Sequence, residues 1–412
     1  MSYIDKLLEG VEVEWKPLGD LVDIANTGVD KKINPDEPTV RLLNFVDVFK
    51  NQYISNDTPT MVVTATEKKI ADCNVKKGDV FITPSSELID EIGFSAMAIE
   101  DFDNVVYSYH IMRLRISNQN YLFPAFLNYL FKSGDIRKQI RKKAQGLTRY
   151  GLTQPNWKSI EIPIPPLEIQ QKIVAILDTF TELTAELTAE LTAELTARKS
   201  QYTYYRDKLL SFDENQVQWK TLGEKDFFEV SSGGTPLTTN KDYWDGGNIP
   251  WLKSESCNNI SVYSATNFIT ELGLKKSSAK LLNKDTTLIA LVGATIFKTA
   301  YLEFKATTNQ NIASIKSLKP SLINDKFIFY YLTNLYEFLK SEMRNYGMLN
   351  LTTLRTFKIP VPPIEEQERI VSILDQFDTL TTSITEGLPQ EIELRKKQYE
   401  YYRDMLLSFP KN

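Results

Sequence analysis

A chain of 412 residues is too long for one ordinary domain, and its 42% apolar and 25% charged residues are those of a folded, globular protein. No apolar run approaches the ~20 residues that cross a bilayer. Two isolated cysteines, Cys73 and Cys257, give neither a disulfide framework nor a zinc site, and a single histidine, His110, removes histidine-centred triads and multi-histidine metal sites.

The start Met1–Lys6 lacks the apolar core of a signal peptide, so a cytoplasmic protein with no membrane partner is expected. The net charge of −5 does not advertise a nucleic-acid ligand, but net charge says nothing about local patches. In the first third, β-branched and aromatic runs at Thr39–Leu43, Asp79–Thr83 and Val105–Ile116 predict strands, and Phe123–Lys143 predicts a helix.

That helix leads into the densest charge in the chain. Lys132, Arg137, Lys138, Arg141, Lys142, Lys143, Arg149 and Lys158 are offset only by Asp135. Arg137, Lys138, Arg141 and Lys142 stand at i, i+1, i+4 and i+5, which predicts one broad basic face. The loop Gly146–Gly151 adds Thr148, Arg149 and Tyr150. A charge run is most often a solvated helix face; here the shortage of acids favours phosphate contacts from the helix and base contacts from the loop.

Ile162–Phe180 then reads IPIPPLEIQQKIVAILDTF, and Ile359–Phe377 reads IPVPPIEEQERIVSILDQF, identical at 12 of 19 positions and 197 residues apart. At the same spacing RKSQYTYYRDKLLSF, residues 198–212, matches RKKQYEYYRDMLLSF, residues 395–409, at 12 of 15. This is an internal duplication. Val13–Asp20 resembles Val217–Glu224, and Asp5–Leu8 echoes Asp207–Leu210 and Asp404–Leu407, so an almost cyclic chain with neighbouring ends is expected.

Between the two blocks the first copy carries Thr-Ala-Glu-Leu three times, Thr184–Leu195. Apolar residues at Ile173, Ile176, Phe180, Leu183, Leu187, Leu191, Leu195, Tyr202, Tyr205, Leu209 and Phe212 step by threes and fours, with one longer gap, and predict a long amphipathic helix. Its counterpart, through Ile370, Phe377, Ile384 and Leu406, should kink or break at Gly387-Leu388-Pro389. Each four-residue repeat adds ~6 Å and ~40° of turn, so the tract is expected to act as a spacer.

The second variable stretch predicts a strand at Thr287–Val292, a helix at Asp325–Tyr346 and turns at Gly233–Pro236 and Asp245–Asn248. Its candidate contact residues are Thr235, Tyr243, Trp244, Lys253, Asn309, Gln310, Lys340, Arg344 and Tyr346. Aromatics in such positions are more often core, and Asn309–Asn311 is equally typical of a loop, yet their amides match the edge of adenine. There is no Gly-rich phosphate loop, no Asn-Pro-Pro-Tyr-type tetrapeptide and no clustered carboxylates with a lysine.

The duplicated P(I/V)PP-x-E-x-Q-x-x-IV-x-ILD-x-F helices ending in QY-x-YYRD-x-LLSF resemble the specificity subunit of type I restriction–modification enzymes, in the subgroup with Thr-Ala-Glu-Leu spacer repeats. The stretch from Gly233 to Trp251 resembles a pattern of that family's target recognition domains. So does Asp285–Thr299, where Phe297 stands in place of a glycine.

The resemblance implies an α+β, mixed fold: two globular α/β target recognition domains separated by two long antiparallel coiled-coil helices, with pseudo-two-fold duplication. The domains would be residues 1–161 (with a short segment 1–12), the central helix 162–212, residues 213–358 and the C-terminal helix 359–412. It implies a non-catalytic reader of a bipartite, asymmetric double-stranded DNA target. Two modification subunits would use S-adenosylmethionine, and restriction/translocase subunits would use ATP and magnesium; this chain would hold no cofactor. A self-sufficient methyltransferase or a coiled-coil scaffold without DNA are the competing expectations.

Overall fold

A computed structural model describes residues 7–342, 348–382 and 387–410; Asp5, Arg344, Tyr346 and Ile384 lie outside the described residues. The chain forms two compact units, Met1–Glu190 with Ile392–Asn412, and Leu191–Glu391. Both boundaries fall inside the duplicated helical segments, so each unit owns the start of one and the end of the other.

In the first unit the strands are β1 (Glu14–Pro17), β2 (Val22–Ala25), β3 (Thr39–Leu43), β4 (Tyr53–Ile54), β5 (Met61–Thr64), β6 (Val80–Ile82), β7 (Ser85–Ser86), β8 (Ser95–Ala98), β9 (Val105–Tyr107), β10 (Met112–Ile116), β11 (Tyr150–Gly151) and β12 (Glu161–Ile164). Its longer helices are α1 (Pro124–Leu130), α2 (Gly134–Lys143) and the first part of α3 (Leu167–Leu209). The main sheet runs β2-β10-β6-β8-β4, and a smaller one runs β5-β3-β9. Among its named strands, β4–β8 and β3–β9 pair in parallel and the rest antiparallel.

The second unit contains β13 (Gln218–Thr221), β14 (Phe228–Ser232), β15 (Ile249–Leu252), β16 (Ile260–Val262), β17 (Phe268–Ile269), β18 (Thr286–Ala290), β19 (Thr299–Leu302), β20 (Thr307–Thr308), β21 (Ile312–Ser317) and β22 (Lys358–Val361). Helices α4 (Asp325–Asn334), α5 (Tyr336–Glu342) and α6 (Ile364–Thr382) come next, and α7 (Gly387–Leu407) begins in this unit and ends in the first. Its sheets run β14-β21-β18-β19-β16 and β17-β15-β20. Again, among the named strands, the edge pair β16–β19 and the pair β15–β20 are the parallel ones. Two stretches that share little sequence have one topology.

Some local expectations change in the structure. Val105–Ile116 is not one strand: β9 and β10 belong to different sheets, joined by Ser108–Ile111. Phe123–Lys143 is two helices, because the Ser133 hydroxyl accepts from Ile136 N and caps a new start. Leu183 is exposed rather than on the apolar stripe. At 100° per residue it sits ~120° from buried Leu177, and the half-buried line passes instead through Thr181, Thr184, Thr188, Leu191 and Leu195. At the predicted break, α6 ends at Thr382 and α7 starts at Gly387, with φ +79°. A Cβ there would lie 2.6 Å from the Thr379 carbonyl oxygen, and Pro389 falls in the first turn, where its missing N–H is harmless.

Each unit clamps the start of a duplicated helix in the same way. The side chain of Gln170 is buried; its amide donates to the carbonyls of Tyr121 (3.0 Å) and Pro165 (2.8 Å), and its oxygen accepts from Phe123 N (2.8 Å). Gln367 does the same with Leu322 (2.8 Å), Pro362 (2.7 Å) and Asn324 N (2.9 Å). Two turns on, Asp178 accepts from Tyr53 and from Tyr129 (2.7 Å), and Asp375 accepts from Tyr330 (2.5 Å) with Lys326 at 2.9 Å. Burial pushes the phenols of Tyr129 and Tyr330 well above the ordinary tyrosine range, so both remain donors.

The opposite helix ends complete the cores. Leu406, Leu407 and Phe409 pack with Phe126, Tyr129 and Ile173 in the first unit, and Leu210 packs with Phe327, Ile370 and Leu374 in the second. Trp15 Nε1 donates to the Pro410 carbonyl (3.2 Å), which brings β1 against the C-terminal segment. Replacing Gln170 with Ala strips partners from one buried and two part-buried backbone groups, a buried one costing about 1–3 kcal/mol when left unpaired. Q170A is expected to lower the urea midpoint, and Q367A to do so equally.

Candidate nucleic-acid interface

The basic run of the first unit divides in two. Arg137 and Arg141, one turn apart, face the turn Ile89–Glu91: Arg137 donates to the carbonyls of Asp90 and Ile92 over the Phe94 ring, and Arg141 pairs with Asp90. Burial and the neighbouring Arg141 push the Arg137 pKa down. Lys138 and Lys142, each about 100° round the helix from the neighbouring arginine, line a groove of about 1190 Å³ with Lys143, Lys158, Trp15, Pro17 and Phe409. The single broad face expected for 137, 138, 141 and 142 is therefore corrected. Three cations in the last turn of α2 also complement its dipole, a structural reason for part of the run.

The Gly146–Gly151 loop folds onto the other side. Arg149 Nε donates to Ser85 Oγ (3.1 Å), Tyr150 pairs with Ser86 through β7–β11, and Thr148 is exposed. Arg149 lines a recess of about 410 Å³ with Phe45, Ser86, Leu88, Glu91 and His110. The Tyr109 ring lies tilted against His110, with centroids 4.0 Å apart, and both residues are exposed. Burial, Lys31 and Arg149 hold His110 below the usual histidine pKa. Neither Tyr109 nor His110 is among the contact residues expected from the sequence; the signal lies in the topology, which places them between β9 and β10.

In the second unit, Thr235 and Gln310 do meet: the Thr235 hydroxyl donates to Gln310 Oε1, and Gln310 is exposed. Asn309 is turned inward, 8% exposed, and its Oδ1 accepts from Asn311 N (3.1 Å), which makes it a loop anchor. Trp251 donates to the Gly234 carbonyl (3.0 Å) and meets Trp244 edge-on at 4.9 Å, while exposed Lys253 lies over its ring. The Tyr243 carbonyl receives Thr270 N (3.0 Å). Lys340 packs over Tyr336 on α5, and Arg344 and Tyr346 lie outside the described residues.

Phe297 adopts φ +65° and is 4% exposed, its ring packed in the core of the unit. A turn suited to glycine is thus held by a buried aromatic. Gly293, φ +80°, leads this turn, and Thr295 ties it to Ser254 through a 2.9 Å hydrogen bond.

Two units of one topology, each presenting exposed loop residues at its sheets and each clamping a long helix, define an internally duplicated protein with two sets of candidate contact loops. A family model described as type I restriction modification DNA specificity domain matches residues 10–197 and again 216–394. The chain belongs to that family. It is 37% identical over 432 residues to the Type I restriction enzyme EcoR124I/EcoR124II specificity subunit of Escherichia coli, covering 100% of this chain and 98% of that one. It is 32% identical to a putative type I restriction enzyme specificity subunit of Haemophilus influenzae, with 99% and 98% covered. Among solved structures it shares its fold with a chain from a type I R-M system (TM-score 0.69, 18% identity, 97% and 98% covered). The HsdS subunit of Thermoanaerobacter tengcongensis gives 0.55 at 19% identity, with 97% and 96% covered. Among the described residues no helix is long and apolar enough to cross a membrane.

At Phe297 the left-handed backbone costs about 1–2 kcal/mol for a residue with a Cβ, and loss of the buried ring costs about 3–5 kcal/mol. F297A loses the ring and keeps the strain, whereas F297G loses the ring and relieves it. The usual order is expected to reverse, with F297G unfolding at higher urea than F297A.

Proposed function

We propose that this chain is the non-catalytic DNA-specificity subunit of a type I restriction–modification complex, each unit gripping one half of a split, asymmetric double-stranded DNA target. One observation carries the reading: the units repeat one frame but present different exposed residues, as two different half-sites require. Membership of the specificity-domain family supports it. Two modification subunits would dock on the duplicated helices and supply S-adenosylmethionine and adenine methylation. Restriction/translocase subunits would supply ATP- and magnesium-dependent translocation and cleavage in the cytoplasm. The four domains would be bounded as in the sequence duplication, with residues 162–212 and 359–412 forming an antiparallel coiled coil.

The Thr-Ala-Glu-Leu tract would set the distance between half-sites, as in the spacer-repeat subgroup. α3 is continuous through the tract, so removing four residues shortens it by ~6 Å and rotates its C-terminal portion by ~40°. Methylome sequencing of cells carrying the complex with one repeat deleted should show both half-sites unchanged and a shorter unread spacer; altered half-sites would sink the proposal.

The exposed groove lysines are the best placed for phosphates. Changing Lys138 and Lys142 to Gln should reduce the slope of log affinity against log salt by roughly 2, one for each phosphate no longer neutralised, without changing the methylated sequence. An unchanged slope would return these lysines to ordinary surface.

A further inference from the structure

The units can be superposed in sequence far beyond the duplicated helices. Ser108, Ile111, Leu114, Phe126 and Tyr129 stand 201 residues before Asn309, Ile312, Ile315, Phe327 and Tyr330, with no insertion between them. Each pair plays one role. Ser108 N donates to Leu43 O (2.9 Å) at the end of β3, and Asn309 N donates to Leu252 O (2.9 Å) at the end of β15. Both side chains are buried and turn back onto the backbone two residues on: Ser108 Oγ accepts from His110 N (3.3 Å), Asn309 Oδ1 from Asn311 N (3.1 Å). Ile111 and Ile312 are fully buried, the first immediately before β10 and the second at the start of β21, the equivalent strands of the two main sheets.

Between these anchors each loop shows two residues: Tyr109-His110 in one unit and Gln310-Asn311 in the other. A glycine backs each loop with no room for a side chain. A Cβ on Gly28 would stand 2.2 Å from Tyr109 N, and one on Gly233 2.2 Å from Thr308 O. Such a backing fixes the loop's backbone, and the buried anchors fix its ends. A loop this constrained holds its tip residues in place before any ligand arrives, which is what base reading needs.

The tips carry the chemistry. Tyr109 is 47% exposed, its ring tilted against His110 with centroids 4.0 Å apart, so it offers an apolar surface with a hydroxyl at the end. Lys31 and Arg149, which act on His110 electrostatically, and Lys69, whose Nζ reaches Gly28 O (3.3 Å), put cations around the tip. Gln310 has its oxygen held by the Thr235 hydroxyl, which leaves the amide N–H groups to donate outward.

We propose that the Tyr109-His110 and Gln310-Asn311 loops are equivalent base-reading elements, Tyr109 and His110 determining specificity for one half-site and Gln310 for the other. This rests on the specificity-subunit reading above. The frame is the same, and the exchanged tip residues make the two half-sites differ.

The test uses the full chain in complex with its modification subunits, read by the methylated motif and by methylation rate on a fixed DNA. Y109A/H110A should relax one or two base pairs of a single half-site and slow methylation of the original target roughly ten- to hundred-fold, the discrimination of one good base contact. Q310A should do the same in the other half-site only. The exchange Y109Q/H110N, which copies the second loop into the first frame, should change base preference in the first half-site without loss of assembly. If all three variants assemble and methylate the wild-type motif at the wild-type rate, the loop assignment is overturned. So it is if a variant affects both half-sites alike. A wild-type complex that methylates no bipartite sequence would overturn the specificity-subunit reading itself, and the assignment with it.

Discussion

The constraint on which the rest depends is a buried side-chain amide. Gln170 and Gln367 each join the first turn of a duplicated helix, the proline strand before it and the loop before α1 or α4. A buried amide leaves little freedom: every donor and acceptor needs its partner, so the helix is fixed in both rotation and height relative to its own unit. The carboxylates of Asp178 and Asp375, two turns later, hold the same face against tyrosines. From there α3 is one unbroken helix, and each added residue displaces the remainder of the helix by about 1.5 Å and 100°. The prolines belong to the same device. Pro165 and Pro362 offer carbonyls to the amide and, lacking N–H groups, leave no donor unpaired where the strand ends.

This explains why the duplication is so unequal along the chain. In Ile162–Phe180 and Ile359–Phe377 the identical positions include the buried Gln170, Ile173, Val174 and Leu177 and their counterparts, while exposed Gln171, Ala175 and Thr179 differ from Glu368, Ser372 and Gln376. In the globular stretches the frame survives as a pattern of burial and pairing rather than of residue identity. A sheet accepts Val80, Phe81 and Ile82 or Thr287, Leu288 and Ile289 in its centre, because all are β-formers of workable volume and both faces are covered.

That difference sets what was legible beforehand. The helices were readable because spacing of threes and fours and repeated words survive in a bare sequence. The shared topology was not, since strand order is a long-range property with no local signature. Val105–Ile116 shows the consequence: twelve residues of strand-like composition conceal a change of sheet at Ser108–Ile111, and with it Tyr109 and His110. Leu183 misled differently. It keeps the step of three from Phe180, but the seam follows the heptad through Thr181, Thr184 and Thr188, because small polar residues can lie on a packed face as well as leucine can.

Charge was readable as amount and not as direction. Arg137 and Lys138 are neighbours in sequence, and about 100° of helix gives one to internal carbonyls and the other to a solvent groove. Arginine suits the inward place, because its planar fork satisfies two carbonyls at once while its face rests on Phe94. Lysine suits the outward one, since a flexible, strongly hydrated cation can track a phosphate backbone without fixing which bases lie beneath it. On the proposed reading, recognition would divide by mobility: long, exposed cations would supply attraction, and short loops pinned by a serine, an asparagine and two glycines would supply choice.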